Sequence, residues 1–91
     1  MKIFACFLPM LDHEKSTAYR QEHLDYLESQ RSAGRIIANG RFVDGWGGLV
    51  IYKAATMEEA VSYAENDPYI IKQARTYDIH EWDMVSTVLQ Q

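Results

Sequence analysis

Short apolar runs alternate with two longer segments of helical spacing in the order strand, helix, strand, strand, helix, strand, and this order constrains the fold most. Residues 2–8 are an almost wholly apolar run, fit for a strand covered on both faces. Pro9 to Lys15 read as a loop. Ser16 or Thr17 is suited to cap a helix running to about Ala33, with Gly34 as its stop. Within it Leu24 and Leu27 mark the core stripe, Ala33 lies near its end, and Tyr19, His23, Tyr26 and Leu27 line the flank at spacings of three and four. Arg35 to Phe42 form a second strand, Val43 to Gly48 a glycine-rich turn, and Leu49 to Lys53 a third strand, which together read as a hairpin. Thr56 and Glu59 make a capping box ahead of Met57, Ala60, Val61 and Ala64 at helical spacing. Asn66-Asp67-Pro68 ends that helix, and Asp67 is placed to cap a short turn of helix opened by Pro68. Tyr77 to Val88 hold a last strand through Ile79, Trp82 and Val85, with a break in alternation at His80-Glu81 that predicts a bulge.

A β-α-β-β-α-β order in 91 residues predicts an α+β, ferredoxin-like sandwich spanning residues 1–91 as one domain: an antiparallel sheet with two helices on one face. A chain this small buries only about two thirds of its unfolded surface, so association with a second copy is a natural remedy. Trp46, Tyr52, Tyr77 and Trp82 predict an aromatic opposite face needing cover by a ligand, a nucleic acid or a second subunit. An RNA-recognition module shares this strand order and stacks bases on its first and third strands. Here Asp44 stands where such a module has a basic residue, and the net charge is −4, so no nucleic-acid partner is expected. Cys6 is the only cysteine, which excludes an intrachain disulfide, favours a reducing, cytoplasmic location and reads as a small core residue. Pro9 and Asp12-His13-Glu14-Lys15 interrupt the first apolar run without a convincing cleavage site, and no segment is long enough to span a bilayer, so no membrane role is expected.

The chemistry-bearing residues are His23 and Asp67. An imidazole moves protons near neutral pH, and a carboxylate can orient it and stabilise the charge it acquires. If the fold brings the two together, they form a general acid–base site. Each also has a plain structural explanation: a flank histidine bonded to a neighbour, and an Asp-Pro helix cap. A carboxylate can serve both ends, spending one oxygen on the backbone and the other on His23. Arg20 lies one helical turn before His23 and is placed to bind a substrate carboxylate or phenolate, or to be a solvated or ion-paired arginine. Tyr69 is placed to donate a phenolic hydrogen bond to the same pocket, or simply to pack on the second helix. His13, His80 and Asp83 lack metal-ligand spacing, so no metal is expected. Ser16, Ser29, Ser32 and Ser62 show no nucleophile elbow. The glycines at 45–48 open no helix and make a poor phosphate cradle, so no organic cofactor is expected.

The spacing of several short features also resembles one family over nearly the whole chain. Arg20-x-x-His23, Gly34-Arg35-Ile36-Ile37, Gly40, Gly48, the Ala60-to-Ala64 helix and Asp67-Pro68-Tyr69 resemble the YciI-like (YCII-related) proteins of the dimeric α/β-barrel superfamily. The chain has Gly40-Arg41 where the family usually shows Gly-Pro. The resemblance implies a ferredoxin-like protomer whose sheet pairs with a twin's to close a barrel. It also implies a pocket between helices and sheet holding a His–Asp pair, which maps onto His23 and Asp67. It further implies a small-molecule enzyme of lyase (dehydrochlorinase-like), isomerase or hydrolase type, acting as a homodimer or higher homo-oligomer. The alternative is a non-catalytic small-molecule-binding or interaction protein on the same scaffold.

Overall fold

The computed structural model describes residues 1–89. Four strands, β1 (Lys2–Pro9), β2 (Ile36–Arg41), β3 (Gly47–Ala54) and β4 (Asp78–Glu81), form one antiparallel sheet in the order β2-β3-β1-β4. The helices are α1 (His13–Ala18), α2 (Arg20–Ser32), α3 (Met57–Glu65) and α4 (Pro68–Ile71). This is the expected ferredoxin-like α+β arrangement, with the helices packed on one face of the sheet.

Alternation along the strands sorts side chains between the two faces. Phe4, Cys6 and Leu8 of β1, with Val50, Tyr52 and Ala54 of β3, point toward the helices. There they meet Leu27 of α2 and Ala60 and Ala64 of α3, forming the main core. The small side chains of α3 let that helix lie close to the sheet. The opposite face carries a thinner cluster of Ile3, Ile51 and Met84, flanked by Ile37, Ala38 and Leu49.

Several local expectations change. The first helix starts earlier, because Asp12 rather than Ser16 or Thr17 caps it by accepting from the Lys15 N–H at 3.0 Å. It is also broken at Tyr19, whose backbone leaves helical geometry (φ −105°, ψ 12°). Leu24 and Ala33 are exposed, so the core stripe of α2 narrows to His23, Leu27 and Gln30. The last strand is much shorter than 77–88. Glu81 already lies opposite Phe4, and the partner strand begins at Lys2, so the chain soon runs out of backbone to pair with. One further bond, from the Trp82 N–H to the Ile3 carbonyl at 2.8 Å, closes the ladder. The His80-Glu81 register is unbroken, and the bulge falls instead between Ile36 and Ala38 in β2.

The expected aromatic face forms only in part. Tyr52 is buried in the main core, where Tyr77 also packs. Trp46 lies in the β2–β3 turn against Phe7 and Phe42, and Trp82 follows β4, partly exposed. The open face of β3 is set by Leu49 and Ile51, which offer no ring for stacking. Turn geometry reverses the hairpin at Gly47 (φ +149°), where a Cβ would lie 2.1 Å from the Leu8 carbonyl oxygen. Only glycine lets β1 and β3 approach there.

The unequal burial of the two leucines is directly measurable. Leu27→Ala should cost about 2–5 kcal/mol in urea unfolding, as for a filled core position. Leu24→Ala should cost less than about 1 kcal/mol. Equal costs would contradict this division of α2.

Candidate active site

His23 lies on the buried side of α2 and Asp67 immediately before α4, and the fold brings the two side chains together. His23 Nδ1 donates to Asp67 Oδ1 at 2.7 Å across 44 residues of sequence. The carboxylate is fully buried and the imidazole almost so. The same Oδ1 accepts the Tyr69 N–H at 2.9 Å, so Asp67 caps α4 and holds His23 with a single oxygen. The expected split, one oxygen for each task, does not occur. Oδ2 is buried without a hydrogen-bond partner among the described residues.

Tyr69 completes the setting of the imidazole. Its ring stacks on His23 with centroids 3.9 Å apart and planes 11° apart. Its hydroxyl donates to the Ser16 carbonyl at 3.0 Å, so that proton serves α1 rather than a ligand. With Nδ1 held by Asp67 and one ring face held by Tyr69, Nε2 is left to the cleft that His23 lines.

That cleft has a volume of about 540 Å³ and lies between α2 and the β2–β3 hairpin. This size suits a small organic molecule. Leu8, Met10, Leu24 and Phe42 supply apolar wall, which explains why Leu24 is exposed yet apolar. Arg20 lines the cleft as expected from its place one turn before His23, and among the described residues it forms no ion pair. Asp67 lies behind His23 and does not line the cleft.

Sequence reasoning missed Arg75, Ser16 and Arg41 as cleft residues. Ser16 was read as a cap; it is buried, and its Oγ accepts from Arg75 Nη2 at 3.2 Å. Arg75 follows a turn and carries no periodic signal. Its closeness in sequence to Asp67-Pro68-Tyr69 was the available clue. His13 is exposed, and His80 pairs on the surface with Asp78 at 3.1 Å. Among the described residues, no three His, Cys, Asp or Glu side chains cluster to hold a metal ion. No helix among them is long and apolar enough to cross a membrane.

Comparison with protein families finds the YCII-related domain over residues 3–83. The chain belongs to this family. Comparison with curated proteins finds no match. Among solved structures it resembles 5-chloro-2-hydroxyhydroquinone dehydrochlorinase (TftG) from Burkholderia phenoliruptrix AC1100, in complex with 2,5-dihydroxybenzoquinone. The TM-score is 0.77 at 20% identity, covering 89% of this chain and 93% of that one. The likeness establishes a shared fold for this YCII-related chain.

The buried carboxylate also acts on its neighbours. Burial pushes the Cys6 thiol from 9.0 up to about 12, with the charges of Asp67 and then Asp78 adding to it. Burial, then Asp67, pushes the Tyr26 phenol from 10.0 up to about 12. Tyr52 is raised by the same two causes in the same order. In the unfolded chain these groups release protons at their ordinary values, while the folded chain keeps them to higher pH. The unfolded state then binds fewer protons, so stability falls as pH rises through the window from about 9 to about 12. Urea midpoints should decline steadily above about pH 9; a midpoint flat to about pH 11 would contradict the assignment.

Proposed function

We propose that this YCII-related chain is a small-molecule enzyme that uses His23 and Asp67 for general acid–base chemistry. The carrying observation is the 2.7 Å bond from His23 Nδ1 to a fully buried carboxylate, made by a residue that also lines a cleft of ligand size. Asp67 fixes the imidazole with its Nδ1 proton turned inward, so Nε2 presents a lone pair to the cleft. Nε2 then takes a proton from a substrate hydroxyl, carbon or water, and Asp67 stabilises the imidazolium formed. Arg20, at the cleft wall, is placed to bind a carboxylate or phenolate of the substrate. Tyr69 holds the imidazole plane.

The dehydrochlorinase activity named for the structural neighbour supports an elimination. In that reading Nε2 accepts a substrate proton, the electrons of the broken bond form a new π bond, and chloride leaves with the C–Cl electron pair. Proton and chloride together balance the loss of HCl. Hydrolytic chemistry would use the same base on water.

A second reading has a specific observation in its favour. Oδ1 of Asp67 caps α4, and His23 stacks on Tyr69, so each residue has a structural role. The chain would then bind a small molecule without converting it.

Chloride release from 5-chloro-2-hydroxyhydroquinone and related chlorinated hydroxyaromatics separates the readings. His23→Gln should lower kcat by roughly 10²–10⁴-fold, the usual contribution of a positioned base. Chloride release unchanged in His23→Gln would defeat the catalytic proposal, and ligand binding without turnover would favour the second reading.

The open face of the sheet supports the homodimer that the family resemblance implies. Its Ile3, Ile51 and Met84 cluster is one layer thick and flanked by half-buried Ile37, Ala38 and Leu49. A second copy placed on that face would bury it. Light scattering should give the mass of two chains, and Ile51→Lys should shift it toward one. A parent mass of one chain counts against the dimer.

A further inference from the structure

Arg75 is a buried cleft residue whose chemistry the acid–base proposal leaves unused. It is 8% exposed, and among the described residues it forms no ion pair. Nη2 donates to Ser16 Oγ at 3.2 Å, and Nε is buried without a partner among the described residues. A guanidinium keeps its charge, so burying it without a carboxylate contact is costly. Burial pushes its pKa down, opposed in part by electrostatic interaction with Tyr69 and then Asp67. The guanidinium carbon lies 4.6 Å from the centroid of Tyr69, the same ring that stacks on His23.

The backbone fixes this placement. Gln73 adopts a left-handed turn (φ 59°), after which the N–H groups of Ala74 and Arg75 both donate to the Tyr69 carbonyl, at 2.9 and 3.1 Å. Arg75 also bridges to Met10 beside β1. A positive φ at a non-glycine residue is uncommon and is held here by these bonds. On the cleft side, Gly48 leaves Nη1 open: a Cβ at that position would lie 3.3 Å from it. Arg20 and Arg41 line the same cleft, so its polar lining is cationic although the chain carries a net charge of −4.

We infer that Arg75 is an anion-binding residue of this cleft in addition to Arg20, and that the cleft takes an organic oxyanion: an apolar body against Leu24 and Phe42, with a carboxylate or phenolate oxygen on Nη1 of Arg75. The inference rests on reading the cleft as a ligand site and names the class of that ligand. Tyr69 relates the two functional groups, with His23 and Arg75 packed on one ring. A ligand oxygen held by Arg75 is thereby set within the same cleft as Nε2 of His23. A charge-assisted hydrogen bond holds the anion more strongly than a neutral bond would.

Calorimetric titration of the full chain at low ionic strength tests this with benzoate, 4-nitrophenolate, benzyl alcohol and inorganic phosphate. At least one organic anion should bind, and benzyl alcohol should bind roughly tenfold more weakly or worse. Arg75→Gln should weaken anion binding roughly ten- to a hundredfold and leave benzyl alcohol within about twofold. Tighter benzoate assigns the bound oxygen to a carboxylate, and tighter 4-nitrophenolate to a ring oxygen. The inference is overturned if the parent binds neither organic anion, if Arg75→Gln binds them undiminished, or if phosphate binds more tightly than both.

If circular dichroism shows Arg75→Gln unfolded, the parent still answers. The Arg75 side-chain NMR resonances should move on adding benzoate and stay fixed with benzyl alcohol; unmoved resonances with benzoate overturn the inference. His23→Gln keeps the two proposals apart. Anion binding retained there while the parent shows no turnover defeats the acid–base reading alone.

Discussion

A fully buried carboxylate with one oxygen serving two partners holds this molecule's site together. Asp67 Oδ1 takes the N–H that opens α4 and the imidazole Nδ1 of α2, so it joins two elements that share no sequence neighbourhood. A buried charge is tolerated only where hydrogen bonds and nearby charge compensate it, and removing one partner leaves the other exposed to the full cost of burial. Asp67 is therefore constrained from several sides. The cap fixes where α4 begins, α4 fixes where Tyr69 sits, and Tyr69 fixes the plane of His23. Burial raises Cys6, Tyr26 and Tyr52, and the charge of Asp67 adds to each.

The proposed proton handling and anion binding fall to different side chains. His23 faces the cleft with the carboxylate behind it, so any positive charge it gains is met from the protein side and not from the ligand side. Arg75 carries its charge permanently, donates to the Ser16 hydroxyl and lies over the Tyr69 ring. Were Arg75 to contact Asp67 directly, it would compete with His23 for the same oxygen. Tyr69 stands as a shared wall, with its hydroxyl tied to the Ser16 carbonyl. The apolar shell around these groups keeps the local dielectric low, which strengthens both interactions.

Much of this was legible in the sequence because local signals agreed with one another. Thr56 caps α3 by accepting the Glu59 N–H, one half of the expected capping box, while the Glu59 carboxylate accepts from the Tyr63 hydroxyl instead, and Asp67 caps α4 ahead of Pro68. The strand order followed from apolar runs whose spacing left few topologies open. What failed depended on partners distant in sequence. Tyr77 to Val88 look like one strand, but strand length is set by the β1 backbone opposite, which ends near Ile3. Leu24 and Leu27 have equal hydrophobicity and both reach the cleft, yet Leu27 is buried in the core and Leu24 is exposed. Tyr52 was assigned to the wrong face because strand register, which a one-residue shift reverses, is not written in composition. Arg75 resembled any loop arginine, since only the turn at Gln73 returns it to the cleft.

Structural and chemical accounts of His23 and Asp67 do not compete for the same atoms. Capping α4 uses Asp67 Oδ1, stacking uses one face of the imidazole, and the hydrogen bond uses Nδ1. A histidine serving only the core would gain by having its second nitrogen bonded within the protein, because an unmet polar atom in a buried setting is costly. Nε2 has no such bond among the described residues, and the ring keeps a side exposed to a ligand-sized cleft. The same logic applies to Arg75, where a purely structural guanidinium would be expected to meet a carboxylate. His23 Nε2 and Arg75 Nη1 both lack a hydrogen-bond partner among the described residues, beside one tyrosine ring and in one cleft, an arrangement that fits the proposed ligand.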